Sequence, residues 1–98
     1  MELDKILNKR RALRSLAPAE IKDEDIKKMA HAASLAPSCF NNQPWNYVFV
    51  RDEQKISDIV AGMPGGNQKW TKNASMIIGV FTKKDADCVL GDREYYLF

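Results

Sequence analysis

Two short segments of this sequence hold most of the residues that could do chemistry. The first, residues 5–19, contains five positive charges, among them Arg10, Arg11 and Arg14, and no acid. The second, residues 29–50, has no Asp, Glu, Lys or Arg but is rich in Asn, Gln, Ser and Pro. Arginine is a planar, permanently charged donor that suits phosphate, and amide side chains both donate and accept hydrogen bonds. A basic cluster followed by a neutral polar loop is the main organisation visible in the sequence.

Flavin mononucleotide (FMN) needs both kinds of group. Its phosphate is a dianion, and the edge of its isoalloxazine ring alternates acceptors with one N–H group. Negative charge develops at the N1–C2=O end during reduction, and a fixed cation there stabilises that charge. The basic segment and the neutral loop could supply these parts if the fold brings them together.

Apolar spacing predicts the helices that must position these segments. The first helix follows from apolar residues at i, i+3 and i+4 and ends near residue 10 (Leu3, Ile6 and Leu7). Acids in a first turn at residues 23–25, with an apolar stripe behind them, predict a second helix that Pro37 ends. Asp52 is expected to cap a third helix, stopped at Pro64, with an inward apolar face (Ile56, Ile59, Val60 and Met63).

The rest of the chain is predicted as loops and strands. Residues 36–44, with two prolines, indicate an ordered loop. Residues 45–50 and 76–81 are expected to be strands, the first of them buried, with a polar connection at 67–72 before the second. Whether the two strands are parallel neighbours is left open. Residues 91–94 resemble the start of a further helix.

Composition excludes several classes of protein. The 98 residues, 45% hydrophobic and 29% charged, fit one soluble domain and exclude a disordered tail, a fibre and a disulfide scaffold. The first residues lack the features of a signal peptide and no apolar run could span a bilayer, so we expect a cytoplasmic protein. Cys39 and Cys88 have no CxxC spacing, so we expect no disulfide; with His31 as the one histidine, we also expect no metal site.

Residues 10–14, Arg-Arg-Ala-Leu-Arg, resemble the Arg-Arg-Ser-x-Arg element of the nitroreductase family. Residues 36–45, Ala-Pro-Ser-Cys-Phe-Asn-Asn-Gln-Pro-Trp, resemble that family's Ala-Pro-Ser-x-x-Asn-x-Gln-Pro-Trp loop and match all seven specified positions. The separation between the two elements is also similar. The resemblance continues through the Gly-Gly-Asn of residues 65–67 and the strand at 76–81, and so covers nearly the whole chain.

The resemblance implies an FMN-dependent oxidoreductase that takes hydride from NAD(P)H. Electrons would pass to nitroaromatics, quinones or related acceptors by a ping-pong cycle. The implied fold is α+β, a three-layer sandwich with a central, mainly antiparallel sheet flanked by helices. Family members are usually homodimers with FMN at the subunit interface, and no nucleic acid or membrane is implied as a partner. Residues 1–98 are expected to form one FMN-binding domain, incomplete at its C-terminal end.

By position in the motifs, the resemblance also implies roles for individual residues. Arg10 would meet the phosphate, and Arg14 would lie toward the ribityl chain and the pyrimidine edge. The ring would be lined by three consecutive residues of the loop (Pro37, Ser38 and Cys39).

Amide contacts would come from Asn41 and Gln43. Asn67 and either Lys69 or Lys72 would approach the pyrimidine end. No protein nucleophile is implied, so no catalytic side chain is assigned.

The chain departs from the family pattern in two ways. Arg11 and Ala12 complete the cofactor-binding element, but Ala12 stands where Ser is common, so a hydroxyl contact near the phosphate is absent. Family members are also considerably longer, and their later part supplies an interface helix and further basic residues for the phosphate.

Simpler readings stay open beside these. The arginines could be a solvated helix end, the loop a structural turn, Cys39 a small buried side chain and Trp70 a packed aromatic. The chain could instead be a non-catalytic flavin-binding or partner-binding fragment. A small nucleic-acid binder is a third alternative, disfavoured by a net charge of only +2.

Overall fold

The described part of the chain forms four helices, a short 3₁₀ turn and two pairs of strands. In a computed structural model, residues 2–83, 88–90 and 93–95 are described, the last two stretches by their backbone alone. The helices are α1 (Leu3–Lys9), α2 (Asp23–Ser34), α3 (Glu53–Ala61) and α4 (Gly65–Thr71), and the 3₁₀ turn is Cys39–Asn41. The strands are β1 (Trp45–Val50), β2 (Ile77–Thr82), β3 (Cys88–Leu90) and β4 (Arg93–Tyr95).

Helices α1 and α2 lie where the apolar spacing predicted them. The backbone N–H of Arg10 bonds the Ile6 carbonyl and closes α1. At the start of α2, the Asp25 carboxylate accepts from the Lys22 N–H at 3.2 Å. This contact satisfies an N–H that the helix itself leaves unpaired.

Arg51 ties the beginning of α2 to the end of β1. Its Nη2 lies 2.6 Å from an Asp23 carboxylate oxygen, and its Nη1 donates to the Ile21 carbonyl at 2.9 Å. The start of α2 is therefore fixed next to the end of β1.

Strands β1 and β2 are antiparallel neighbours, which settles the open question of their direction. Trp45 lies opposite Thr82 and Val50 opposite Ile77. Both faces of this pair are apolar, yet Val48 on one face and Val80 on the other are each about half exposed (49% and 51%). Residues 45–50 form the predicted strand, but the expectation that it is buried is wrong, because each of its residues is exposed or only partly buried.

The small core lies between α3 and α4. Asp52 caps α3 as predicted, since its carboxylate accepts from the Lys55 N–H at 3.0 Å. Of the predicted inward face, Ile56 and Val60 are buried. Ile59 is exposed and Met63 lies in between.

Helix α4 replaces the polar connection predicted at residues 67–72. Pro64 precedes it with φ −55°, which lets the chain turn directly into a new helix. The Gln68 amide donates to the Met63 carbonyl at 2.7 Å, and buried Thr71 donates to the Asn67 carbonyl at 2.6 Å. The prediction failed because the Gly-Gly pair was taken as a stop, whereas a bond from the Gln68 amide to the Ala61 carbonyl of α3 at 3.4 Å also supports the helix.

Strands β3 and β4 were not predicted, and the helix expected at residues 91–94 is wrong. Leu90 lies opposite Arg93 in an antiparallel pair, so only two residues separate the strands. Those two are Gly and Asp in the sequence, a composition common in two-residue hairpin connections. Residues 91, 92 and 96–98 lie outside the described part of the chain.

The fold class agrees with the expectation of α+β architecture with antiparallel strands. Among the described residues, no helix is long and apolar enough to cross a membrane.

Candidate functional site

The three arginines after α1 are used differently. Arg11 turns back on the helix, and its Nη1 donates to the Asn8 carbonyl at 2.7 Å and to the Arg10 carbonyl at 2.8 Å. Carbonyls at a helix C-terminus lack partners and attract cations. Arg11 therefore acts as a helix cap, which is the simpler of the two readings considered for the cluster.

Arg10 and Arg14 have no such partner. Both are exposed, and no hydrogen bond or ion pair to either guanidinium is found from the part of the chain that the structure describes. Ala12 between them is exposed and contributes no polar group. Two guanidinium groups thus remain available for an external anion.

The backbone that follows Arg14 is extended and attached to the body of the fold. The N–H of Ala19 donates to the Ser75 hydroxyl at 2.9 Å, just before β2. This bond fixes the exit of the arginine segment relative to the sheet.

The amide loop, residues 38–43, is held by its own hydrogen bonds. Ser38 accepts twice, its carbonyl from the Asn41 N–H at 3.0 Å and its hydroxyl from the Gln43 N–H at 3.1 Å. The Asn42 N–H donates to the Cys39 carbonyl at 3.1 Å. The loop is ordered, as predicted, although its centre is a 3₁₀ turn.

Three residues of the amide loop adopt left-handed backbone angles: Phe40 (φ 51°), Asn41 (φ 56°) and Gln43 (φ 50°). Asn tolerates this region, but a Phe there is unusual and costs conformational energy. The side chains of Asn41 and Gln43 are exposed, so their amides are accessible to a ligand. Such strain is concentrated at functional sites.

The two prolines of the loop differ, since Pro37 is exposed and Pro44 is buried. Pro44 anchors the loop where β1 begins, and its carbonyl accepts from the Lys83 N–H at 3.3 Å beyond the end of β2. Pro37 is therefore free to form a wall of the site.

Cys39 is disulfide-bonded in the structure, contrary to the expectation of no disulfide. Cys88 is the other cysteine of the chain, and its side chain lies outside the described part. The expectation rested on an inferred reducing compartment and on the lack of a CxxC spacing, whereas the pairing of two cysteines depends on the distance between their Cα atoms in the fold.

Helix α4 carries the remaining candidates. Asn67 and Lys69 are exposed on it. Lys72 instead borders an open cavity of about 740 Å³ between α3 and residues 16–19, whose lining includes no other predicted site residue. Of the two lysines left open by the sequence, Lys69 is the one that does not face this separate cavity.

Trp70 shows a feature that the sequence did not predict. Its indole N–H is buried and has no hydrogen-bond partner among the described residues. A buried donor without a partner is rare in native proteins.

The arginine segment, the amide loop and helix α4 are all present in the described part of the chain, but the arginines proposed for the site make no direct polar contact with the other two. Within the described residues, no hydrogen bond or ion pair connects Arg10 or Arg14 to the amide loop or to α4. Sequence reasoning offered a helix-end role for the arginines as the simpler alternative, and Arg11 takes that role. It missed the strained Phe40, for which the sequence carries no signal.

Comparison with known proteins decides the family. The Nitroreductase family model matches residues 7–91. The chain belongs to the nitroreductase family.

Individual nitroreductase relatives support this membership. The chain is 34% identical over 74 residues to an Archaeoglobus fulgidus protein named for NADH dehydrogenase/NAD(P)H nitroreductase activity, covering 76% of this chain and 42% of that protein. It is 31% identical over 94 residues to Streptococcus pyogenes Spy0809, named for NAD(P)H nitroreductase activity, covering 96% and 44%. This nitroreductase-family chain therefore spans less than half the length of these two relatives.

A solved structure confirms the nitroreductase fold. A protein from Exiguobacterium sibiricum, described as a nitroreductase and solved in complex with FMN, matches with a TM-score of 0.76 and 28% identity. The match covers 88% of this chain and 41% of that one.

Proposed function

We propose that this chain forms part of the FMN site of an oxidoreductase. The enzyme takes electrons from NAD(P)H and passes them to nitroaromatics, quinones or related acceptors. The observation that carries the proposal is the pair of exposed guanidinium groups, Arg10 and Arg14, that have no partner in the described residues. Membership of the nitroreductase family and the FMN complex of a relative support it.

Arg10 is proposed to bind the FMN phosphate. Its backbone is fixed at the end of α1, because its N–H bonds Ile6 and its carbonyl accepts from Arg11. A charge-assisted bond from a guanidinium to a phosphate is among the stronger polar contacts in proteins. Arg14, four residues further on, is proposed to lie toward the ribityl chain and the pyrimidine edge and to stabilise negative charge there.

The amide loop is proposed to hold the ring. Pro37, Ser38 and Cys39 would line it, with backbone groups near the reactive centre. The Ser38 hydroxyl already accepts from the Gln43 N–H, so its contribution to the site is to keep the loop in shape.

Hydrogen bonds to the ring edge are proposed to come from exposed amides. Asn41 and Gln43 would contribute from the loop, and Asn67 and Lys69 from α4. All four side chains are accessible, which fits groups that wait for a ligand.

When bound, FMN supplies the ring that accepts hydride and releases electrons in a ping-pong cycle, so no protein nucleophile is required. We further propose a homodimer with FMN at the subunit interface, since both faces of the β1–β2 pair keep exposed apolar side chains. We place this chemistry in the cytoplasm, where NAD(P)H is available.

The test uses the full chain, purified and supplied with FMN. Intact mass and visible absorbance give the oligomeric state and the flavin content. NAD(P)H is then added without oxygen, followed by a quinone. Bleaching and recolouring of the flavin are expected.

The outcomes separate the alternatives. Flavin that is held but not bleached by NAD(P)H would favour a flavin-binding fragment without catalysis. A preparation that holds no flavin under any condition would contradict the proposed site.

A further inference from the structure

Phe40 is the most unusual residue of the amide loop. Its side chain is 79% exposed, and its backbone lies in the left-handed region at φ 51°, ψ 22°. The left-handed region is unfavourable for a bulky residue and lowers the stability of the fold. Within the described part of the chain, the Phe40 ring is not buried and so does not compensate for this loss.

The loop holds Phe40 in place from both sides. The N–H of Asn41 bonds the Ser38 carbonyl, and the N–H of Asn42 bonds the Cys39 carbonyl. The two bonds enclose residue 40, so its backbone conformation is imposed by its neighbours. The aromatic ring is thereby presented to solvent from a fixed position.

The neighbours of Phe40 in the sequence indicate what its ring could contact. Phe40 stands between Cys39 and Asn41, two residues proposed to contact the flavin ring. If they do, the Phe40 side chain borders the space through which an electron acceptor approaches the flavin. The chemistry that matches an exposed, fixed phenyl ring is another planar aromatic ring.

We infer that Phe40 is the stacking surface for planar aromatic electron acceptors and so determines specificity toward them. The inference rests on the proposed function, because it places Phe40 beside the flavin. Aromatic pairs contribute enough beyond simple burial to change an affinity by about 2- to 12-fold.

The experiment measures binding of 4-nitrobenzoate to the FMN-supplied full chain by calorimetry. Phe40→Leu keeps an apolar side chain but removes the aromatic ring, and Phe40→Trp keeps an aromatic one. We expect Phe40→Leu to weaken binding by about 2- to 12-fold and Phe40→Trp to restore it. Leu35→Ala is the control, since Leu35 is also an exposed apolar residue (71%) but lies outside the amide loop of residues 38–43.

The melting temperature of Phe40→Gly is a second readout, which distinguishes a stacking role of Phe40 from a packing role. Glycine adopts the left-handed region without strain, so this variant is expected to melt a few degrees higher while losing affinity for the aromatic probe. If Phe40 instead packs against another part of the protein, Phe40→Gly should lower the melting temperature.

Two results would overturn the inference: equal 4-nitrobenzoate affinity in wild type and Phe40→Leu, or a lower melting temperature in Phe40→Gly. Failure of the proposed function is recognised separately, by wild-type protein that holds no flavin. The calorimetric comparison is still made on that protein, and equal affinities there count against Phe40.

Discussion

The arginine segment and the amide loop are two halves of one candidate site, and they are built in opposite ways. In the segment, Arg10 and Arg14 make no side-chain hydrogen bond or ion pair to the described residues, and of the three arginines only Arg11 is engaged. In the loop, three internal hydrogen bonds hold strained backbone angles. We expect the side chains of Arg10 and Arg14 to become ordered only when a ligand binds, whereas the backbone of the loop is preorganised. Affinity should therefore depend most on the first and orientation on the second.

The largest expected effect is on phosphate binding. Arg10→Ala should weaken FMN binding by about 10- to 150-fold, the loss expected for one charge-assisted hydrogen bond. Quenching of flavin fluorescence gives the Kd. Riboflavin, which lacks the phosphate, is the control ligand and should bind both proteins equally; an FMN Kd that does not move would remove Arg10 from the site.

The next effect concerns the rate of reduction. Arg14→Ala should slow flavin reduction by NAD(P)H about tenfold, because about 1.4 kcal/mol of charge stabilisation is lost. Stopped-flow absorbance measures it, and the range of acceptors should change less than the rate. Arg14→Lys keeps the charge and should recover much of the rate; identical rates in all three proteins would rule out the electrostatic role.

The third effect tests the internal order of the loop. Ser38→Ala removes the acceptor of the Gln43 N–H and should lower the free energy of unfolding by about 0.5–1.5 kcal/mol. Urea denaturation measures it, with Ser38→Thr as the control that keeps a hydroxyl. The FMN Kd should rise less than in Arg10→Ala, and a larger rise would mean that the loop dominates affinity.

The smallest effect distinguishes Arg11 from its neighbours. Arg11→Ala should lower stability by at most about 1 kcal/mol, as expected for an exposed helix cap. Its FMN Kd should change far less than that of Arg10→Ala in the same titration. Comparable losses in the two variants would show that Arg11 binds the cofactor after all, as its place in the motif implies.

Sequence patterns predicted the elements whose signals are local. The spacing of Leu3, Ile6 and Leu7 predicted α1, and Asp52 marked the start of α3. The amide loop was predicted from its prolines and amides. These signals suffice because capping, turn formation and apolar periodicity act over a few residues.

Predictions failed where distant contacts decide. Helix α4 begins at the Gly-Gly pair that signals a stop, yet Gln68 of α4 donates to the carbonyls of Ala61 in α3 and of Met63 in the connection. Strand β4 replaces an expected helix because Arg93 pairs with Leu90. The antiparallel order of β1 and β2 and the disulfide at Cys39 also depend on which segments meet in space.

For the site, the sequence by itself determined the types of group and the family they belong to. The motif of residues 36–45 identifies the loop, and the basic cluster contains the arginines proposed to bind the phosphate. Only the tertiary structure decided how each group is used. Arg11 caps a helix, whereas Arg10 and Arg14 have no polar partner among the described residues. Phe40 is held in a strained, exposed position. The reason is physical, since a residue type fixes which bonds a side chain can make, while the surrounding backbone fixes which bonds it does make.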